Sequence, residues 1–168
     1  MKKNLVLIGM MGCGKTTVAK ELDGLLPEYF FVDIDEEIEK STGKKISDIF
    51  LKYGEKHFRV LENDKIKQFS DKQNLIISLG GGAFENKDNR DLMMKNSNVI
   101  YLKTSPKIIF DRIKNEFHRP LLKNNSIERI LEILKKREPN YLKSNIIIET
   151  DNKTPKEIAK EIIEVLND

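Results

Sequence analysis

Apolar residues along this chain fall in five short runs, and a helix-patterned stretch follows each. The runs are Asn4–Ile8, Tyr29–Ile34, Leu75–Leu79, Asn98–Leu102 and Asn145–Glu149. Short apolar runs separated by helices predict a parallel sheet covered on both faces. The intervening segments carry helix-start signals. In "TPKEIAKEIIEVL" Thr154 takes the cap position, Pro155 the first helical position, and Glu157 stands three residues after the cap. That spacing predicts a reciprocal capping box, with proline where its missing N–H costs nothing. Ile158, Ile162, Val165 and Leu166 form the expected buried stripe. "TSPKIIFDRI" starts the same way at Ser105 and Pro106. Ile127, Ile130, Leu131 and Leu134 mark a further helix. Residues 114–125, "KNEFHRPLLKNN", are polar, carry a proline and have no period, and they read as a mobile flap.

The first run leads directly into "GMMGCGKTT". Gly9, Gly14, Lys15 and Thr16 fill every required place of G-x-x-x-x-G-K-[ST], between a strand and a helix as the chemistry needs. Backbone N–H groups of such a turn point at a phosphate, and the helix dipole adds to them. Lys15 then reaches the β/γ-phosphates, and the Thr16 hydroxyl ligates Mg²⁺.

The second run ends in "DIDEEIE". Residues two apart on a strand share a face, so Asp33 and Asp35 are expected to look into one cleft at a strand's carboxyl end. They serve Mg²⁺ and an acceptor, or they cap the next helix, or one does both. The third run ends in "LGGGAF". Three glycines there either admit a ligand to the backbone or make a turn, and are not expected to serve packing.

Composition narrows the classes. The 30 basic and 27 acidic residues are mixed along the chain and leave a net charge of +3, which gives no nucleic-acid footprint. No apolar stretch approaches a membrane span. "MKKNLVLIGMMG" resembles a secretory leader only superficially, because its apolar part runs into Gly-Lys-Thr without a small-residue cleavage site. The one cysteine, Cys13, excludes an internal disulfide, and a reducing, cytoplasmic setting is expected. Cys13 is either an activated thiol that bound ADP would protect or a packed side chain. His57 and His118 have no partner pattern.

Only six of the basic residues are arginines: Arg59, Arg90, Arg112, Arg119, Arg129 and Arg137. A chain that uses Lys for surface charge can reserve Arg for bidentate recognition. Arg137 extends the stripe of Ile127, Ile130 and Leu134, so it starts on the inward face of its helix. Arg59 follows Phe58 on another amphipathic stretch. Two arginines aimed into one cleft suit a substrate carboxylate. Pairing with Glu or Asp is the alternative.

The ordered series "GMMGCGKTT", "DIDEEIE", "FRVLE", "LGGG", "HRPLL", "REPNYL" and "DNKTP" spans essentially the whole chain and resembles the shikimate kinase family. The resemblance implies an α/β, three-layer α-β-α fold of the P-loop kinase type with a five-stranded parallel sheet. It implies one domain over residues 1–168, an acceptor region at about 35–62 and a lid at about 114–125. The implied activity moves the γ-phosphoryl of ATP to the 3-hydroxyl of shikimate with one Mg²⁺. Carried over by motif, Gly12, Cys13, Gly14, Lys15, Thr16 and Thr17 hold the nucleotide phosphates. Arg112 and Pro155 sandwich the adenine, with Lys153 nearby. Thr16 ligates the metal, and Asp33 holds a metal-bound water. Asp35 binds the acceptor and is the base. Arg59 and Arg137 clamp the carboxylate beside Gly80, Gly81 and Gly82, with Phe50 and Phe58 as apolar walls. Arg119 meets the phosphates from the flap, so Lys15, Asp35 and Arg119 form the catalytic set. Arg90 and Arg129 remain as surface charge. Cys13 departs from the usual serine, and the segment after "RPLL" is short. Family members are mostly monomers, so a monomer acting on small molecules is implied. A kinase for another small acceptor, such as gluconate or a nucleoside monophosphate, is one alternative. A regulator that has lost catalysis is the other.

Overall fold

The structure is a computed structural model and describes residues 4–114 and 126–167. Five strands form one parallel sheet: β1 (Asn4–Ile8), β2 (Phe30–Asp33), β3 (Leu75–Ser78), β4 (Ser97–Lys103) and β5 (Ile146–Glu149). Their order across the sheet is β2-β3-β1-β4-β5. Among the described residues seven helices connect and cover them: α1 (Lys15–Leu25), α2 (Ile34–Thr42), α3 (Ile46–Ser70), α4 (Lys87–Asn96), α5 (Pro106–Ile113), α6 (Ile127–Tyr141) and α7 (Pro155–Asn167). A 3-10 turn, Ala83–Glu85, precedes α4.

Strand β1 shows why the apolar runs are continuous. Val6 and Ile8 face one core, which they share with residues of α2 to α6. Leu5 and Leu7 face a second core beneath α1 and α7. A strand buried on both faces has no polar alternation to display.

The capping box forms as the sequence predicts. Thr154 Oγ1 accepts from Glu157 N at 3.3 Å, and Glu157 Oε2 accepts from Thr154 N at 2.7 Å. Ser126 caps α6 through its hydroxyl, whereas Ser105 caps α5 without a side-chain bond. Two stripe residues are on the wrong face: Val165 is 42% exposed and Leu131 48% exposed. Ala159 and Ile133 take those inward positions instead. Helix α3 is interrupted at Gly54, whose φ of 81° and ψ of 170° are not helical.

The strand order sets up the site. β2, β3 and β1 are neighbours, so the segments leaving their carboxyl ends lie side by side. Those segments are Asp33 with α2, the triple glycine, and the phosphate loop. Ser78, at the end of β3, is in register with Asp33 on one side and Leu7 on the other. A crevice there is where open α/β sheets bind ligands.

Candidate active site

The phosphate loop turns through three glycines with positive φ: Gly9 at 144°, Gly12 at 75° and Gly14 at 97°. Gly14 is also the cap of α1, so the loop delivers its N–H groups to a helix start. Lys15 folds back across the loop, and its Nζ donates to the carbonyls of Gly9 and Met10, each at 2.9 Å. A cavity of about 390 Å³ opens beside the loop. Gly12, Cys13, Gly14, Thr16 and Thr17 line it, and so do Arg112, Lys153 and Pro155 from α5, the β5–α7 connection and α7. Arg112 Nη1 donates to Gly12 O at 3.0 Å, and Lys153 pairs with Glu161 at 2.6 Å. The nucleotide residues expected from sequence thus meet in one place, apart from Lys15, which does not line that cavity, and Arg119. Arg119, His118 and all of the expected flap at 114–125 except Lys114 lie outside the described residues.

Cys13 packs inward. It is 1% exposed and belongs to the apolar cluster of Leu5, Leu7 and Leu102. Its sulfur lies 3.7 Å from Lys15 Nζ.

Asp33 both caps and reaches the loop. Its Oδ1 accepts from the N–H groups of Asp35 and Glu36, capping α2, while its Oδ2 accepts from the Thr16 hydroxyl at 3.0 Å. Asp35 does not lie on a strand, contrary to the expectation. β2 ends at Asp33, and Asp35 stands in the first turn of α2 because Asp33 caps that helix at once. Asp35 still faces the cleft, now from a helix N-terminus that favours its charge.

A second cavity, of about 120 Å³, adjoins the loop through Met11. All eight expected acceptor residues line it: Asp35 from α2, Phe50, Phe58 and Arg59 from α3, Gly80, Gly81 and Gly82 after β3, and Arg137 from α6. The Phe50 and Phe58 rings pack 4.7 Å apart. Arg59 reaches Glu62 at 2.7 Å and Glu55 at 3.2 Å. Arg137 is 8% exposed, and its Nη1 has no hydrogen-bond partner among the described residues. A buried guanidinium N–H left unpaired is costly, and an anion in this cavity would satisfy it.

The glycines do serve packing, contrary to the expectation. A Cβ on Gly80 would lie 3.0 Å from Glu62 Oε1 and 3.2 Å from Asp35 Oδ1. On Gly81 it would lie 2.9 Å from Arg137 Nη1, and on Gly82 2.9 Å from Arg59 Cζ. Four charged side chains rest on bare backbone. No sequence window reveals that, because they arrive from three helices.

Sequence reasoning missed Glu62. It is fully buried, its Oε1 has no hydrogen-bond partner among the described residues, and it lines the same cavity of about 120 Å³. Burial pushes its carboxyl up to about 7, against the pull of Arg59. A signal was there: Glu62 interrupts the inward stripe of Phe58, Ile66 and Phe69. Arg90 is also more than surface charge. It donates to the carbonyls of Phe84 and Glu85 and so pins the turn after the glycines. Arg129 pairs with Glu132 at 3.0 Å on the rim of a wider cavity of about 480 Å³ outside Arg59 and Arg137.

Among the described residues no three acidic, His or Cys side chains gather as a metal cage. The Thr16 hydroxyl and the Asp33 carboxylate, bonded to each other, fit a hard cation that takes its other ligands from water and phosphate. No helix among the described residues is long and apolar enough to cross a membrane.

The shikimate kinase family model matches residues 11–167. A shikimate kinase of Thermodesulfovibrio yellowstonii is 44% identical over 162 residues, covering 96% of this chain and 93% of that one. One from Persephonella marina is 45% identical over 161 residues, covering 96% and 97%. The solved structure of shikimate kinase from Acinetobacter baumannii in complex with shikimate superposes with a TM-score of 0.95 at 34% identity, over 99% of this chain and 94% of that one.

Proposed function

The chain belongs to the shikimate kinase family, and from that premise we infer that it transfers the γ-phosphoryl group of ATP to the 3-hydroxyl of shikimate, giving shikimate 3-phosphate and ADP. The observation that carries the acceptor assignment is Arg137: a buried guanidinium whose Nη1 has no hydrogen-bond partner among the described residues, facing the same small cavity as Arg59. Shikimate brings a carboxylate for those two forks. Phe50 and Phe58 offer an apolar wall for its ring.

Phosphoryl transfer passes through a loose transition state, so positioning and charge stabilisation dominate. The loop N–H groups and the α1 dipole hold the nucleotide phosphates. Lys15 exchanges its Gly9 and Met10 carbonyl partners for phosphate oxygens, so an ammonium already desolvated on one side is delivered to the transferring group. Asp35 orients the acceptor hydroxyl and takes its proton as the new P–O bond forms. Arg112 and Pro155 flank the adenine, with Lys153 beside it. Thr16 would hold Mg²⁺ directly and Asp33 through a bound water; that ion would supply positive charge to offset the charge on the phosphates. Arg119 completes the catalytic set by family resemblance. In this reading residues 1–168 form one domain with its acceptor region at about 35–62 and its lid at about 114–125, and it works as a cytoplasmic monomer.

The decisive assay follows ADP release from ATP–Mg²⁺ with shikimate, gluconate or a nucleoside monophosphate as acceptor. Shikimate-dependent turnover alone is expected. Turnover with a different acceptor would overturn the carboxylate clamp. ADP binding without any turnover would favour a catalytically inactive regulator.

A further inference from the structure

Arg137 and the glycine segment reach the acceptor cavity from distant parts of the chain; Asn140 of α6 bonds to Glu85 just after the glycines, and Tyr141 bonds to the glycines themselves. Tyr141 is fully buried on α6, one turn beyond Arg137. Its hydroxyl donates a hydrogen bond to the carbonyl oxygen of Gly81. Gly81 is also the residue on which the Arg137 guanidinium rests, 2.9 Å from where a Cβ would stand. Burial pushes the Tyr141 phenol up, and the charge and side-chain hydrogen bond of neighbouring Arg137 only partly oppose this, so the hydroxyl keeps its proton and stays a donor. Behind it the Tyr101 ring packs at 5.0 Å. Tyr101 turns its own hydroxyl to Glu138, at 3.4 Å, and not to the glycines.

A buried tyrosine needs a partner for its hydroxyl, and for stability alone many carbonyls would serve. Gly81 is a consequential choice. Three consecutive glycines bring no side chains to fix their backbone, and glycine backbone is the most conformationally free. A bond from the turn after Arg137 therefore sets the position of the segment against which Arg137 is placed.

We propose that Tyr141 is a positioning residue for the acceptor: its bond to Gly81 fixes the glycine segment and the Arg137 guanidinium relative to each other before shikimate arrives. It acts through those groups and touches neither substrate nor reacting atoms. The inference rests on the assignment of Arg137 to the substrate carboxylate. Loss of preorganisation weakens ground-state and transition-state binding alike, so it appears in KM and not in kcat.

The test compares Tyr141→Phe, Tyr101→Phe and Arg137→Ala. Both phenylalanine variants keep the ring and the stack, and thermal unfolding checks that they fold. Tyr141→Phe is expected to raise the shikimate KM about three- to tenfold, the worth of one hydrogen bond. Its kcat and its KM for ATP should stay near wild type, and Tyr101→Phe should leave all three unchanged. An unchanged shikimate KM in Tyr141→Phe would overturn the inference. So would equal effects of the two phenylalanine variants, or a parallel loss for both substrates. Arg137→Ala separates the two levels. If it leaves the shikimate KM unchanged, the carboxylate assignment fails. If it raises that KM and Tyr141→Phe does not, only the positioning role fails.

Discussion

Arg59 Nη1 and Glu62 Oε2 meet at 2.7 Å on one face of α3, and the other Glu62 oxygen has no hydrogen-bond partner among the described residues. Glu62 faces Arg59 along its own helix, Asp35 from α2 and Arg137 from α6. An incoming carboxylate adds a third negative charge to a pocket with two arginines. With the carboxylate held as proposed, shikimate binding and the charge on Glu62 are opposed.

That opposition predicts a pH dependence. Burial raises the Glu62 carboxyl from its ordinary 4.5 to about 7. The folded protein then holds this proton more tightly than the unfolded chain. The stability it contributes is full below about 4.5 and is lost as pH rises through 7. Glu62→Gln mimics the protonated form. Its melting temperature should gain on wild type between pH 5 and pH 8, by on the order of a few kcal/mol in stability. The wild-type shikimate KM should rise severalfold over the same range and stay flat in the variant. A KM with the same pH profile in both proteins would remove Glu62 from this role.

Asp33 combines two tasks that substitutions can separate. Asn also caps helices, so Asp33→Asn should keep the α2 cap and unfold near the wild-type temperature. It loses the charge beside Thr16, and its turnover should need more Mg²⁺. Asp33→Ala should lose the cap too, at about 1 kcal/mol of stability. Magnesium titration of turnover, run beside thermal unfolding, distinguishes the two. An Asp33→Asn enzyme with wild-type magnesium dependence would leave capping as the only task.

Cys13 follows from burial. A thiol 1% exposed within an apolar cluster does not meet an alkylating agent while the fold holds. Iodoacetamide should leave the native protein unlabelled with or without ADP, and should label it once it is unfolded. Labelling of the native protein that ADP suppresses would show instead that the loop opens to expose the thiol.

The sheet was legible because its signals are local. Each apolar run became a strand within one or two residues, and the phosphate loop sits between β1 and α1 as its motif requires. Errors began where one residue changes the element. Asp33 caps α2 directly, so Asp35 joined a helix that strand alternation could not foresee. Arg137 was readable as a charge on an apolar stripe, and Glu62 carries the same signal between Phe58 and Ile66. The glycines were not readable, because the reason for them is supplied by side chains from α2, α3 and α6.

That reason makes the glycines a graded test. Gly24 lies within α1 with open space around a Cβ position. Gly24→Ala should stabilise the protein by about 0.5–1 kcal/mol and change no kinetic constant. Gly81→Ala places a methyl 2.9 Å from Arg137 Nη1, so the guanidinium must move. Gly82→Ala does the same to Arg59, whose Cζ lies 2.9 Å from the new carbon. Each should raise the shikimate KM while ATP binding holds, because the Gly81 methyl meets the phosphate loop only at ordinary contact, 3.4 Å from Gly9 O and 3.5 Å from Met11 N, and the proposed nucleotide cavity is lined by other residues. Gly80→Ala meets carboxylates instead, Glu62 at 3.0 Å and Asp35 at 3.2 Å. With Asp35 as the proposed base, shifting it should lower kcat as well as weaken binding. A set in which all three pocket variants lose only kcat would mean that the arginines do not hold the substrate carboxylate. If all three behaved like Gly24→Ala, the close packing of charge on this backbone would have no bearing on the reaction.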